Sequence, residues 1–256
     1  MKRKIDLTDT AFLIPVRIDS VARLENLQAS IRSIIRYTNA YVKVLEASRY
    51  NNHILENMLD PAVDYFYVED HDIIFHRTHY INVLVRQCSC RHIVIWDADV
   101  IVPPRQLQQA VSMLRNDVCD VVFPYDGRFY DTTRIIRELY LESEKLSLLQ
   151  NNVGKMPLPY GSDMGGGAIF IKREKFDYAD GEDERFYGWG PEDWNRLEKW
   201  KRIGLKIGRA AGPLFHLSHP KDLNGGHSLD LQKTNTFYLL RKTQMSSAKE
   251  ILQQKK

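Results

Sequence analysis

Cysteine is scarce in this chain: Cys88, Cys90 and Cys119 are the three among 256 residues. An odd number argues against a disulfide framework, and the Cys88-x-Cys90 pair lacks a second pair to complete a zinc site. Reduced thiols in a reducing, cytoplasmic setting are therefore expected. Long apolar runs are missing too. No segment approaches the ~20 apolar residues that cross a bilayer. The Met1 end carries positive charge but only a short apolar run, too little for the core of a signal peptide. The expectation is a soluble protein, at most peripheral to the inner face of a membrane. Net charge is only +3, which gives no electrostatic footprint for nucleic acid. Internal repeats are absent, which excludes a solenoid. What remains is an ordinary globular composition, long enough to bury one large α/β core.

The most informative stretch is 92–104, HIVIWDADVIVPP. Its run of β-branched and aromatic residues before Asp97 reads as a strand buried on both faces of a parallel sheet. Asp97 and Asp99 stand two apart just past that strand, so both can point to one side of its C-terminal edge. Open α/β sheets bind ligands at that edge. Two like charges so close repel unless a cation lies between them, and a divalent metal carrying a diphosphate meets that need. An ordinary turn accommodates the same Asp-x-Asp pattern.

The chain before it alternates strands and helices. Residues 10–16 form an apolar strand ending at Arg17 and Asp19. Leu24, Leu27, Ile31, Ile34 and Ile35 then recur at helical spacing, with Asp19 or Ser20 as N-cap. Strands are expected at 40–45 and 63–68, and a helix over 75–87 that carries His76, Arg77 and Asn82. The polar groups of that helix are satisfied either within the fold or on a ligand.

Downstream, the spacing predicts a helix around Leu107–Leu114 and a strand at 120–125. A longer helix follows over 132–149, with Ile135, Leu139 and Leu146 inward. Three glycines at 165–167 precede another strand, marking either a flexible turn or backbone that a ligand approaches closely. In 186–200, FYGWGPEDWNRLEKW, Pro191 opens a helix with Glu192 and Asp193 in its first turn. The macrodipole favours carboxylates there, and a carboxylate held ionised at that place also suits a general base. Trp189, between two glycines, is either a hydrophobic anchor or a face for a sugar ring. Strands over 205–209 and 213–217 are expected to finish the sheet, and His216 and His219 lie just past the second. Neutral imidazoles there can complete a metal shell begun by carboxylates. Asp222–His227 reads as a loop, and Ser247-x-x-Glu250 as a capping box.

With these residues laid out, the sequence resembles the β-1,4-galactosyltransferase group of inverting GT-A glycosyltransferases and related bacterial enzymes, from Phe12 to about His219. Five motifs stand in the family's order. IPVR at 14–17 is similar to the uridine-side loop, and FHRTHYINV at 75–83 to a Phe-x-Arg-x-x-x-x-Asn helix. WDADVIVPP carries the Asp-x-Asp, 165–167 the Gly-Gly segment at the donor sugar, and WGPED at 189–193 a Trp-Gly-Gly-Glu-Asp motif. The chain departs from the pattern at Trp194 and Asn195, where the family's acidic run continues, and at Met164, where a tyrosine is usual.

The resemblance implies a single GT-A domain over 1–256, an α/β fold with a mixed, mostly parallel sheet flanked by helices. Its nucleotide-binding part would lie at about 10–125, its acceptor and catalytic part at about 126–220, and a tail at 221–256. It implies transfer of a hexose, galactose or N-acetylhexosamine, from a UDP-sugar to a saccharide or glycolipid acceptor in polysaccharide or glycoconjugate synthesis. Asp193 would be the base with Glu192 beside it. Pro15, Arg17, Asp19, Arg77, Asn82, Trp96, Asp97, Gly166, Gly167 and Trp189 would meet the donor. Asp97 and Asp99, with His216 and His219, would hold Mn²⁺ or Mg²⁺, the mixed oxygen and nitrogen donors leaning towards manganese. A sugar-nucleotide pyrophosphorylase is disfavoured because 14–19 contains no glycine for a phosphate loop. A non-catalytic sugar-nucleotide-binding module is disfavoured because the acids are intact.

Overall fold

The structure, a computed structural model, describes residues 3–161, 165–188, 190–220 and 230–253. A seven-stranded sheet forms its centre. β1 (Thr10–Val16) is buried at every position, as a wholly apolar strand with helices on both faces must be. It pairs in parallel with β2 (Tyr41–Ser48) on one side and with β4 (His92–Trp96) on the other. β3 (Val63–Glu69) adds to β2 at the sheet edge and is only half-buried. Beyond β4 the direction changes: β8 (Ala168–Lys172) runs antiparallel to β4 and to β6 (Val121–Phe123), and β9 (Ile207–Arg209) closes the sheet parallel to β6. The order is β3-β2-β1-β4-β8-β6-β9. The mixed, mostly parallel α/β architecture is the expected one.

The helices follow the crossover logic of parallel strands. α1 (Val21–Tyr37) starts at Ser20, whose hydroxyl accepts from the Arg23 N–H, and buries Leu27, Ile31 and Ile34. The polar stretch after β2 contains a short α2 (Ile54–Met58). α3 (Arg77–Arg86) leads from β3 towards β4, and α4 (Pro104–Arg115) packs Leu107, Ala110, Val111 and Leu114 inward.

Two expectations are corrected here. The helix foreseen over 132–149 is two helices, α5 (Arg134–Ser143) and α6 (Leu146–Asn151), separated at Glu144, whose φ of 48° is left-handed. Its inward face is Ile136 and Tyr140, which pack in the second apolar cluster, while Ile135 and Leu139 are exposed. Leu146 does pack against the core. The strand foreseen at 213–217 does not join the main sheet. β10 (Leu214–His216) lies in a second sheet, between β5 (Val100–Ile101) and β7 (Phe129–Asp131). Those partners are short, and no local pattern announces them.

After β8 come α7 (Arg173–Tyr178) and α8 (Glu192–Arg202), and the chain continues through α9 (Asp230–Met245) to α10 (Ala248–Gln253). The capping box forms: Ser247 N–H donates to Glu250 Oε2 at 2.7 Å, and Glu250 N–H to Ser247 Oγ at 3.3 Å. Among the described residues no helix is long and apolar enough to cross a membrane. The 222–227 loop lies outside the described residues.

Candidate active site

The C-terminal ends of β1 and β4, the start of α3, the second sheet and the N-terminus of α8 enclose a cleft of about 270 Å³. Pro15, Arg17, Asp19, Arg77, Asp97, Asp99, Glu192, Asp193, His216 and His219 line it. Ten residues singled out in the sequence, spread over two hundred positions, therefore share one depression.

Sheet register explains the metal-ligating corner. β10 pairs antiparallel with β5, setting His216 opposite Val100, and parallel with β7, setting His216 opposite Asp131. The Leu217 N–H closes the corner by donating to the Asp99 carbonyl at 2.7 Å. His216 Nε2 thereby lies 3.5 Å from Asp99 Oδ2, and His219 Nε2 lies 3.1 Å from the same oxygen. One donor atom from each of Asp99, His216 and His219 falls within 4.8 Å of the others, so the three can hold a metal ion. Mixed carboxylate and imidazole donors are the kind that bind a divalent transition metal. Burial opposes ionisation of Asp99, yet the two imidazoles hold its carboxyl well below the usual range. Burial likewise opposes a charge on His216, but Asp99 and Asp131 draw it up to about 10.

Asp97 lines the same cleft but stands outside that group of three. Its backbone N–H donates to Gly167 O at 2.8 Å, while its side chain pairs with Arg77 rather than with the histidines. The chain turns between β4 and β5, so the two carboxylates line one cleft but face different partners. Burial, with Asp193 and Asp99 nearby, raises the Asp97 pKa against the pull of Arg77. Arg77 reaches further: its Nη1 lies 3.8 Å from Asp193 Oδ1. It thus connects the β4 edge with the first turn of α8.

On that turn Pro191 is the N-cap, and Glu192 and Asp193 hang over the cleft. Burial, and then the charge of Asp193, pushes the Glu192 carboxyl up to about 8. Asp193 Oδ1 accepts from Arg196 Nη1 at 2.5 Å.

Four further residues are placed differently from expectation. Asn82 faces away from the cleft, with its amide spent on the 182–184 loop: Nδ2 donates to Glu182 O at 3.0 Å and to Glu184 Oε1 at 2.8 Å. Trp96 is buried in the core against Phe12, and its indole N–H donates to Ser30 Oγ at 2.8 Å. Gly166 and Gly167 are buried and are not among the residues that line the cleft. Gly166 O accepts from the Tyr125 hydroxyl at 2.6 Å. Gly167 has φ +83°, and a Cβ there would stand 3.1 Å from Phe129 and 3.2 Å from Leu214. Dihedral and packing are enough by themselves to require that glycine. Trp189 and Met164 lie outside the described residues.

Arg17 and Asp19 are in the cleft but already engaged. Arg17 pairs with Asp70 and donates to the Ala47 and Asp72 carbonyls, at 2.9 and 2.8 Å. Asp19 pairs with Arg23 at 2.9 Å. Phe129, Asp131 and Tyr160 also line the cleft and have no signal in the sequence, because the first two lie on the three-residue β7 and Tyr160 in a turn. Arg196 had one: it stands three residues after Asp193 on a helix, within side-chain reach.

Residues 149–221 match the family model described as the N-terminal domain of galactosyltransferase. That segment spans β8, α8 and β10, with Glu192, Asp193, His216 and His219. The catalytic domain of Drosophila β1,4-galactosyltransferase 7, solved with xylobiose, superposes at TM-score 0.58 and 17% identity, over 94% of this chain and 82% of that one. The fold is that of the GT-A glycosyltransferases. Two further structures with this GT-A fold agree. The Pyrobaculum calidifontis mannosyltransferase, in complex with GDP-Man and Mn²⁺, superposes at 0.57 and 16% identity, over 96% of this chain and 68% of that one. Glucosyl-3-phosphoglycerate synthase from Mycobacterium tuberculosis, with Mn²⁺, UDP and glucosyl-3-phosphoglycerate, superposes at 0.56 and 15% identity, over 91% and 79%. No curated protein sequence matches this chain. The family match and the structural likenesses agree on the transferase class.

Proposed function

We propose that this chain is a metal-dependent, inverting glycosyltransferase that moves a hexose from a UDP-sugar to a saccharide hydroxyl. One observation carries the reading: an Asp99–His216–His219 corner and the Asp193 carboxylate line one cleft, in which Arg77 joins Asp193 to Asp97. Mn²⁺ or Mg²⁺ suits the corner, and when bound it supplies positive charge that offsets the charge on a departing diphosphate.

The chain's own residues do the rest. Pro15, Arg17 and Asp19 at the end of β1 border the nucleotide, and Arg77 and Asp97 flank the diphosphate and the sugar. Asp193 takes the proton of the acceptor hydroxyl as its oxygen bonds to the anomeric carbon. The bond from that carbon to the phosphate oxygen breaks on the opposite face, and its electron pair leaves with UDP. A positioned base of this kind contributes about 10²–10⁴ in rate. The raised pKa of Glu192 keeps it neutral at pH 7 and so a hydrogen-bond donor, suited to a sugar hydroxyl beside Asp193.

The supports are the motif order, the shared cleft and structural neighbours solved with Mn²⁺ and GDP-Man or UDP. The test is UDP release from a panel of UDP- and GDP-sugars with Mn²⁺, with and without saccharide acceptors. Asp193→Asn is expected to bind UDP and metal as the wild type does and to lose transfer. Near wild-type turnover by this variant removes the base role from Asp193.

A further inference from the structure

Behind Asp193 lies a buried ionic pair that the reaction as described does not use. Arg196 is 3% exposed, and its Nε and Nη2 donate to the two carboxylate oxygens of Glu182 at 2.6 and 2.8 Å. The remaining nitrogen, Nη1, donates to Asp193 Oδ1 at 2.5 Å. A bidentate Arg–carboxylate pair fixes the plane of the guanidinium. The direction of the third N–H is fixed with it.

Glu182 is itself held. The Glu182 N–H donates to Asn82 Oδ1 at 2.8 Å, and Asn82 Nδ2 returns a bond to Glu182 O at 3.0 Å. The preceding Gly181 has φ +61°, and a Cβ there would stand 2.6 Å from Asn82 Oδ1, so the loop fits Asn82 only with glycine at that point. Lys199 Nζ donates to Gly181 O at 3.0 Å from the next turn of α8. α3 therefore supplies Arg77 on the cleft side of Asp193 and, through Asn82, anchors the loop behind it. Both Arg77 and Arg196 address Oδ1. Among the described residues, that leaves Oδ2 for an acceptor hydroxyl.

We infer that Arg196, clamped by Glu182 on the Asn82-pinned loop, is the positioning residue that orients the Asp193 carboxylate for proton abstraction. This deepens the proposed function and rests on Asp193 being the base. Burying two charges costs more than an apolar pair of the same size. A pair kept next to the base, with its spare N–H on that base, has a role beyond stability.

The test uses the charge-balanced double variant Glu182→Gln/Arg196→Met, beside Arg196→Lys, Asp193→Asn and the triple variant. In UDP release with Mn²⁺, the double variant is expected to lose about 10- to 100-fold in kcat, the scale for a misplaced catalytic group. KM for the sugar nucleotide and Mn²⁺ affinity stay within twofold. Arg196→Lys recovers part of the loss. In the Asp193→Asn background the two changes cost nothing further, whereas a merely structural role adds in full. A crystal structure of the double variant gives a readout independent of turnover, in which the Asp193 carboxylate is expected to turn from its wild-type position. An unmoved carboxylate, a kcat within twofold of wild type, or full additivity overturns the assignment. Wild-type turnover by Asp193→Asn instead sinks the base role on which it rests.

Discussion

His216 Nδ1 lies 2.8 Å from Asp131 Oδ1, and this contact decides which ring nitrogen His216 presents to the cleft. With Nδ1–H donating to the carboxylate, Nε2 is the nitrogen that faces Asp99, and it offers a lone pair to a metal once its proton leaves. Carboxylates behind ligating histidines fix ring orientation and raise basicity, and their loss typically costs 10–100-fold in metal affinity. Asp131→Asn is expected to weaken Mn²⁺ binding by about that factor with the fold retained. Calorimetric titration measures it, and unchanged affinity rules out the role.

The same corner makes metal binding compete with protons. His216, drawn up to about 10, carries a proton at neutral pH in the metal-free chain and must release it to bind. With one proton displaced, affinity is expected to rise about tenfold per pH unit between roughly pH 6.5 and 9. Titrations at three pH values check this, and a flat affinity contradicts it.

Glu192 links stability to pH in the opposite sense from most carboxylates. Its folded carboxyl, pushed up to about 8, stays protonated where an unfolded glutamate has ionised. Between about pH 4.3 and 8 the unfolded chain holds fewer protons than the folded one, so stability falls as pH rises through that window. Glu192→Gln is expected to raise the Tm relative to wild type at pH 8 and to leave it nearly unchanged at pH 4.5. Thermal unfolding at both values decides, and equal shifts at the two refute the linkage.

Gly167→Ala places a side chain at φ +83°, close to Phe129 and Leu214. A non-glycine residue held in such a region costs about 1–3 kcal/mol. Urea unfolding is expected to show a loss of that size. A wild-type midpoint shows that the backbone relaxes.

Much of the fold is legible in the sequence, because wholly apolar strands and 3.6-residue periodicity are local properties. β1 has the bounds expected, and α8 begins where Pro191, Glu192 and Asp193 indicate. The helix after residue 132 is misread because apolar residues fall on both of its faces. Packing, not spacing, chose Ile136 and Tyr140 over Ile135 and Leu139.

For the site, the sequence by itself determined which residue types are available: paired acids after a buried strand, two acids at a helix start, and two histidines three apart. The tertiary structure alone decided their partners. Asp97 turns to Arg77 and Asp99 to the histidines because β10 pairs with β5 and not with the main sheet. Asn82, placed at the donor by resemblance, bonds to the loop behind Asp193, and the Trp96 indole bonds to Ser30 in the core. Which side chains meet across a hundred residues depends on strand register and helix packing, and neither is encoded within any one stretch of the chain.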